Sequence, residues 1–169
     1  MDSTLLAEQN FEVADLSLRS DGRFLAVCGK MQNGGVSTAW IFEQSMDAES
    51  NLEKLVVHCR LDGHEAGGIK GIGFLKKSPY VVTAGADGAC LVWNWMPERS
   101  GERPIQAYEA FQFLSDANRV AHQAPINSIS VSDQGHVATV SDDGTAVLWK
   151  NPFRDIVAEA KVRQVPSGK

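Results

Sequence analysis

Two histidines in this chain are each followed, in the same order, by a threonine, an aspartate, a glycine and a tryptophan. The sets are His64, Thr83, Asp87, Gly88, Trp93 and His122, Thr139, Asp143, Gly144, Trp149. The Asp, Gly and Trp pairs share one offset along the chain, and each threonine lies four residues before its aspartate. Hydroxyl, imidazole and carboxylate are the groups of general-base and nucleophilic catalysis. The pattern nevertheless argues against catalysis. There is no G-x-S-x-G nucleophile elbow, and companions repeated twice give each histidine a structural task. No catalytic residue is expected. Metal chemistry has as little support. His58 and Cys59 are adjacent, so on a strand they point to opposite faces, and no Cys-x-x-Cys or His-x-x-x-His spacing occurs. Gly67–Gly68–Ile69–Lys70–Gly71 lacks the order of a phosphate-binding loop and reads as a connection. Neither metal nor cofactor is expected.

The elements that must position these residues follow from the repeat. Residues 84–93 read AGADGACLVW and residues 140–149 read VSDDGTAVLW. An Asp-Gly pair between valine-rich apolar runs predicts a hairpin with a two-residue primed turn. Val81–Thr83 leads into the first turn and Cys90–Trp95 leads out; Val137–Val140 and Thr145–Trp149 do so in the second. A further strand precedes each hairpin, carrying Ile69, Ile72 and Phe74 or Ile126, Ile129 and Val131. The last two residues of each set are two apart, as one face of a strand requires. Each unit is then three strands of an antiparallel sheet, with room for a fourth. Polar groups in such apolar sheets must satisfy one another. A chain of hydrogen bonds from Trp indole to Thr, His and Asp does so.

On these residues the units resemble WD-repeat blades of a β-propeller, whose signature is a Gly-His near the start and a Trp-Asp at the end. The resemblance implies structural tetrads His64–Thr83–Asp87–Trp93 and His122–Thr139–Asp143–Trp149. Gly63–His64 keeps the first dipeptide, whereas Ala121–His122 has lost the glycine. Asn94 and Lys150 stand where the closing Asp belongs. A third, degenerate unit opens the chain. SDGRFLAVCG at 20–29 carries an Asp-Gly turn before the run Phe24–Cys28, and a strand Thr38–Phe42 follows. There Val27 replaces the threonine and Phe42 the tryptophan, and the polar network is expected to be missing. Fourth strands are placed at Leu55–Leu61, about Ile105–Phe111, and Ile156–Val162. The fold expected is therefore all-β: three four-stranded antiparallel blades forming a partial propeller, not closed by itself. Its parts are residues 1–10 as an N-terminal arm or donated strand, 11–62 as the degenerate blade, 63–120 as a WD-repeat blade with an insertion at 96–121, 121–162 as a second such blade, and 163–169 as a tail.

Composition narrows the function classes. Of 169 residues, 43% are hydrophobic and 22% charged, with a net charge of −5. An acidic chain without a basic stripe gives no expectation of direct nucleic-acid contact. No apolar run approaches the ~18 residues of a membrane span. The start, MDSTLLAEQ, lacks a signal-peptide core. Three cysteines, an odd number, argue against a secreted disulfide framework. A cytoplasmic or nuclear eukaryotic setting is expected.

Three blades fall short of the four to eight that close a ring. Protein partners are therefore expected to supply the missing blades. A different polypeptide is favoured over a self-dimer, since nothing in the first blade signals specialisation for pairing with the last. In the insertion at 96–121, Phe111, Phe113 and Leu114 are candidate partner contacts, although covering their own blade edge is the commoner use of such residues. The resemblance implies a non-enzymatic protein–protein interaction scaffold. The alternatives are an enzyme or small-molecule sensor using a propeller channel, and a scaffold within a nucleic-acid-associated complex.

Overall fold

A computed structural model describes residues 10–32, 37–46, 53–65, 67–76, 78–95, 106–109, 122–149 and 162–163. They form twelve strands in three antiparallel sheets. The first sheet runs in simple order through β1 (Phe11–Leu18), β2 (Phe24–Met31), β3 (Ser37–Met46) and β4 (Glu53–His64). The second contains β5 (Ile69–Phe74), β6 (Tyr80–Gly85), β7 (Cys90–Asn94) and β8 (Gln106–Glu109), with β12 (Val162–Arg163) beyond β8. The third contains β9 (Ile126–Val131), β10 (Val137–Ser141) and β11 (Ala146–Trp149). The sheets form an open array of propeller blades. Among the described residues no helix is long and apolar enough to cross a membrane.

Register shows that the three sheets are copies of one unit. Val81 pairs with Trp93 and Thr83 with Leu91; Val137 pairs with Trp149 and Thr139 with Val147. In the first sheet Leu25 pairs with Phe42 and Val27 with Trp40, so Val27 and Phe42 do occupy the Thr and Trp positions. β3 and β4 are longer than the expected Thr38–Phe42 and Leu55–Leu61.

Two expectations need correction. The Asp-Gly hairpins are not two-residue primed turns. Gly85 N–H bonds Ala89 O at 2.9 Å and Gly88 N–H bonds Gly85 O at 3.1 Å, which leaves a three-residue loop. Ser141 with Thr145, and Gly144 with Ser141, repeat the arrangement at 3.1 Å each. Only the glycines, Gly88 at φ 76° and Gly144 at φ 78°, enter the left-handed region. This is a type I turn closed by a left-handed glycine, which spares the aspartate the positive φ a primed turn demands. The second correction concerns strand count. Among the described residues, only the first sheet is four-stranded. Val162, expected to end the last strand of the third blade, and Arg163, expected in the tail, pair instead with Tyr108 and Ala107 of β8. Beside β7, β8 is an edge with unpaired backbone groups, and a returning segment satisfies them there. The second sheet thus has five strands and the third has three among the described residues. The remainder of the expected strand Ile156–Val162 lies outside the described residues.

The core lies between neighbouring sheets. One layer joins Phe24, Ala26, Cys28, Ala39 and Ile41 of the first sheet to Ile72, Phe74, Val81, Trp93 and Trp95 around the second. The next joins Val82, Ala84, Cys90 and Val92 of the second sheet to Ile126, Ile129, Val137 and Trp149 of the third. In both, the earlier sheet offers the smaller side chains and the later sheet the larger. The innermost strands meet closely. Ile72 N–H donates to Asp15 Oδ2 at 3.0 Å, and Phe74 N–H donates to Ser17 Oγ at 3.3 Å. At the second seam, glycines stand where Asp15 and Ser17 stand at the first. A β-carbon on Gly71 would come 2.6 Å from Ile129 Cγ2, and one on Gly73 2.5 Å from Val131 Cγ2.

Candidate functional site

The two His–Thr–Asp–Trp sets assemble within their own sheets. In the second sheet Trp93 Nε1 donates to Thr83 Oγ1 at 2.8 Å, and Thr83 Oγ1 lies 2.7 Å from His64 Nε2. His64 Nδ1 lies 3.1 Å from each carboxylate oxygen of Asp87. The indole can only donate, so the threonine oxygen accepts from it and passes its own proton toward His64 Nε2. That assigns the remaining imidazole proton to Nδ1, facing the carboxylate. Asp87 also accepts from Glu65 N–H at 2.8 Å and Ala89 N–H at 2.9 Å, pinning the loops on both sides of the turn. Burial pushes the Asp87 carboxyl up, but the His64 hydrogen bond and charge, with the two backbone N–H groups, outweigh it. The net shift is downward. A side chain on Gly85 would strike Asp87 Oδ1 and His64 Nδ1, so this position is left bare for the relay to form.

The third sheet builds the same relay with one extra member. His122 Nε2 lies 2.7 Å from Thr139 Oγ1, to which Trp149 Nε1 donates at 3.3 Å. His122 Nδ1 lies 3.0 Å from Thr145 Oγ1, which donates to Asp143 Oδ1 at 2.6 Å; the histidine's own approach to Asp143 is 3.4 Å. Asp143 also accepts from Gln123 N–H at 2.8 Å and Thr145 N–H at 2.9 Å. The Thr145 hydroxyl and the Gln123 N–H hold its carboxyl well below the usual carboxylate range. Sequence reasoning missed Thr145, although a hydroxyl two residues after the aspartate was in plain view where the second unit has Ala89.

The first sheet has no such relay. Phe11, Val27, Trp40 and Phe42 form an apolar cluster on the corresponding face. Beside it, however, is a polar group that the sequence reading did not foresee. Thr38 Oγ1 bonds Asp62 Oδ1 at 2.6 Å, and Arg60 Nε donates to both, at 3.1 and 2.8 Å. The Arg60 guanidinium stacks 5.2 Å over the Trp40 ring. Arg60 and Asp62 are two apart on β4, opposite Trp40 and Thr38 of β3, so the pairing was a cross-strand signal. Trp95 was also missed as a core anchor. It is fully buried, with Phe24 and Phe74 edge-on at 4.8 and 5.4 Å.

Chemically, these groups are occupied. Thr83 is fully buried, with its hydroxyl oxygen bonded to both imidazole and indole. The cysteines are poor nucleophiles. Burial pushes Cys28, Cys59 and Cys90 up to about 12, with a neighbouring carboxylate adding to the effect at Cys28 and Cys90. The candidate contacts Phe111, Phe113 and Leu114 lie outside the described residues.

The family model for WD40, "WD domain, G-beta repeat", matches residues 55–94 and 116–150. One subunit of chromatin assembly factor 1 from Saccharomyces cerevisiae is 27% identical over 110 residues, covering 63% of this chain and 23% of that protein. Among solved structures, the RRP9 WD40 repeats and U3-55K each superpose with a TM-score of 0.53 at 18% identity. Each match covers 89% of this chain and 36% of the other. The chain thus spans about a quarter of its curated relative and about a third of these propellers.

Proposed function

Because this chain is a WD-repeat protein of the β-propeller family, we propose that it is a non-enzymatic scaffold for protein–protein interaction, one arc of a propeller completed by other blades within an assembly. WD40 repeats generally serve as interaction scaffolds, and a propeller owes its function to its surfaces rather than to its fold. One observation carries the reading. The outward face of the first sheet leaves Leu16 and Leu18 exposed at 60% and 62%, at positions whose counterparts Ile72 and Phe74 are buried by a neighbouring sheet. Apolar surface of this kind calls for a partner. The blade boundaries at 11–62, 63–120 and 121–162 belong to this proposal, as do Phe111, Phe113 and Leu114 as partner anchors and a cytoplasmic or nuclear setting.

Native mass spectrometry on the purified chain and on the chain captured from cell extract tests the reading. A complex of defined composition is the expected result. A chain that stays monomeric in both samples would count against it. A ligand-induced thermal shift, or consumption of a small molecule by the purified chain, would instead favour an enzyme or sensor.

The similarity to a component of a chromatin assembly factor supports a second, narrower reading, a scaffold inside a nucleic-acid-associated complex. With a net charge of −5, such a scaffold would hold proteins rather than the nucleic acid itself. Salt-sensitive binding of bare duplex DNA by the chain would contradict this.

A further inference from the structure

We infer that the Asp21–Gly22 turn between β1 and β2 is a site of spontaneous modification, where the aspartate cyclises onto the following glycine nitrogen and reopens as isoaspartate. The other Asp-Gly pairs of the chain, at 62–63, 87–88 and 143–144, are protected by the fold.

The reaction needs no enzyme, and its atoms balance. The Gly22 nitrogen attacks Cγ of the protonated Asp21 carboxyl. A C–N bond forms as the C–OH bond breaks, and the hydroxyl leaves as water with the proton of the former N–H. Water then reopens the cyclic imide at either carbonyl. Opening at the side-chain carbonyl restores aspartate, whereas opening at the main-chain carbonyl leaves the chain running through Cβ and Cγ. Glycine favours the step because it has no Cβ to shield its nitrogen. The aspartate must also be able to swing toward that nitrogen and to take up a proton.

Three of the pairs sit in one kind of turn, so their backbones are matched. Gly22, Gly88 and Gly144 have φ of 74°, 76° and 78°. Each donates its N–H to the carbonyl three residues back, on Arg19, Gly85 and Ser141. Each aspartate accepts at Oδ1 from the N–H two residues on, at 3.0, 2.9 and 2.9 Å. The difference lies in the rest of the carboxylate. The Asp87 and Asp143 side chains are 7% and 14% exposed, and the second oxygen of each accepts a further N–H, from Glu65 or Gln123, beside the relay histidine. Swinging either one toward its glycine would leave buried partners unpaired. Both carboxyls also lie below the usual carboxylate range, which keeps them in the ionised form that has no leaving group. Asp21 belongs to the sheet without a relay. Its side chain is 46% exposed, and its second oxygen meets Arg19 Nε at 3.4 Å, an exposed pair that restrains it little. Asp62 is 40% exposed, but it lies in a paired strand opposite Thr38, and its Oδ1 is held by the Thr38 hydroxyl and Arg60 Nε.

The turn at stake carries two arginines that brace the first sheet. The Arg19 guanidinium lies 5.4 Å from both the Phe24 and the Trp95 rings, and Arg23 Nε donates to Glu43 at 2.9 Å. An extra main-chain carbon between them displaces both, so ageing at one exposed residue reaches the layer between the first and second sheets.

Peptide mapping of the full chain tests this, with isoaspartate located by electron-transfer fragmentation after incubation at neutral pH, in native buffer and in urea. In urea all four pairs should react at comparable rates. In native buffer Asp21 should accumulate isoaspartate while Asp62, Asp87 and Asp143 fall several-fold behind. Gly22→Ala, whose methyl meets nothing within 4 Å, should slow the reaction at Asp21 several-fold. Native protection of Asp21 equal to that of Asp87 would overturn the proposal. So would Asp87 and Asp143 keeping pace with Asp21 in native buffer, since the fold would then select no site. An unchanged rate in Gly22→Ala would overturn the nitrogen of residue 22 as the attacking atom.

Discussion

Thr145 donates its hydroxyl to Asp143 at 2.6 Å and receives the His122 Nδ1 proton at 3.0 Å, standing in the third sheet where the second has Ala89. The second sheet closes the same gap directly, His64 to Asp87 at 3.1 Å. Two versions of one relay thus coexist in the chain, and the difference between them can be tested.

Thr145→Ala should remove the bridge from His122 to Asp143 and lower stability by about 1 kcal/mol, the ordinary contribution of one such hydrogen bond. Chemical denaturation followed by circular dichroism would measure it. No change in midpoint would mean that His122 reaches Asp143 without help.

Thr83→Val should be more severe. The valine keeps the shape but leaves the Trp93 N–H and His64 Nε2 unpaired in a buried site. A loss of roughly 2–4 kcal/mol follows from two unsatisfied groups. A midpoint within error of the parent chain would reject the relay as a stabilising element.

Gly85→Ala isolates the space the relay needs. The added methyl would strike Asp87 Oδ1 and His64 Nδ1. It should cost about 1–3 kcal/mol through overpacking and displaced hydrogen bonds. Gly22→Ala is the opposite case, backbone strain without a steric contact. Nothing lies within 4 Å of its β-carbon position, but its φ is +74°. A loss of about 1 kcal/mol is expected there from conformation alone. A midpoint for Gly85→Ala within error of the parent chain in thermal melts would remove the steric role assigned to Gly85.

Acid should weaken the fold through the aspartates. The pKa values of Asp87 and Asp143 both lie below the ordinary 3.8 in the folded chain. A depressed carboxylate stabilises fully above its unfolded value, and that contribution is lost as pH falls from about 3.8 through the folded value. Melting temperature should therefore drop steeply below about pH 4. In Asp87→Asn the drop should be shallower, from a lower plateau at neutral pH. An unchanged acid slope in that variant would show that Asp87 contributes nothing to the pH dependence.

Much of this was legible in the sequence because the relay residues are tied to a turn. The Asp-Gly loop fixes the distance from Thr83 to Trp93, so repeating the loop repeats the spacing at Thr139 and Trp149. The turn geometry itself was misread. Asp-Gly suits a two-residue turn in isolation, but the pairing of Gly85 with Ala89 adds a residue and leaves only the glycine at positive φ. The Thr38–Arg60–Asp62 group was hidden because its members are joined across two strands whose register a single sequence does not fix. The return of Val162–Arg163 to β8 was hidden for a related reason. An edge accepts any strand that reaches it, and local pattern does not say which one will.

The buried thiols have a practical consequence. Cys28 lies in the layer between the first and second sheets, with the partly buried Cys59 packed against it, and Cys90 lies in the layer between the second and third. Buried, and with their thiols pushed up by that burial, Cys28 and Cys90 should react slowly with an alkylating reagent while their layers are shut. Labelling rates at Cys28 and Cys90 therefore act as two separate clocks. Each counts how often one layer opens to water, and together they rank the two seams under native conditions without any introduced probe.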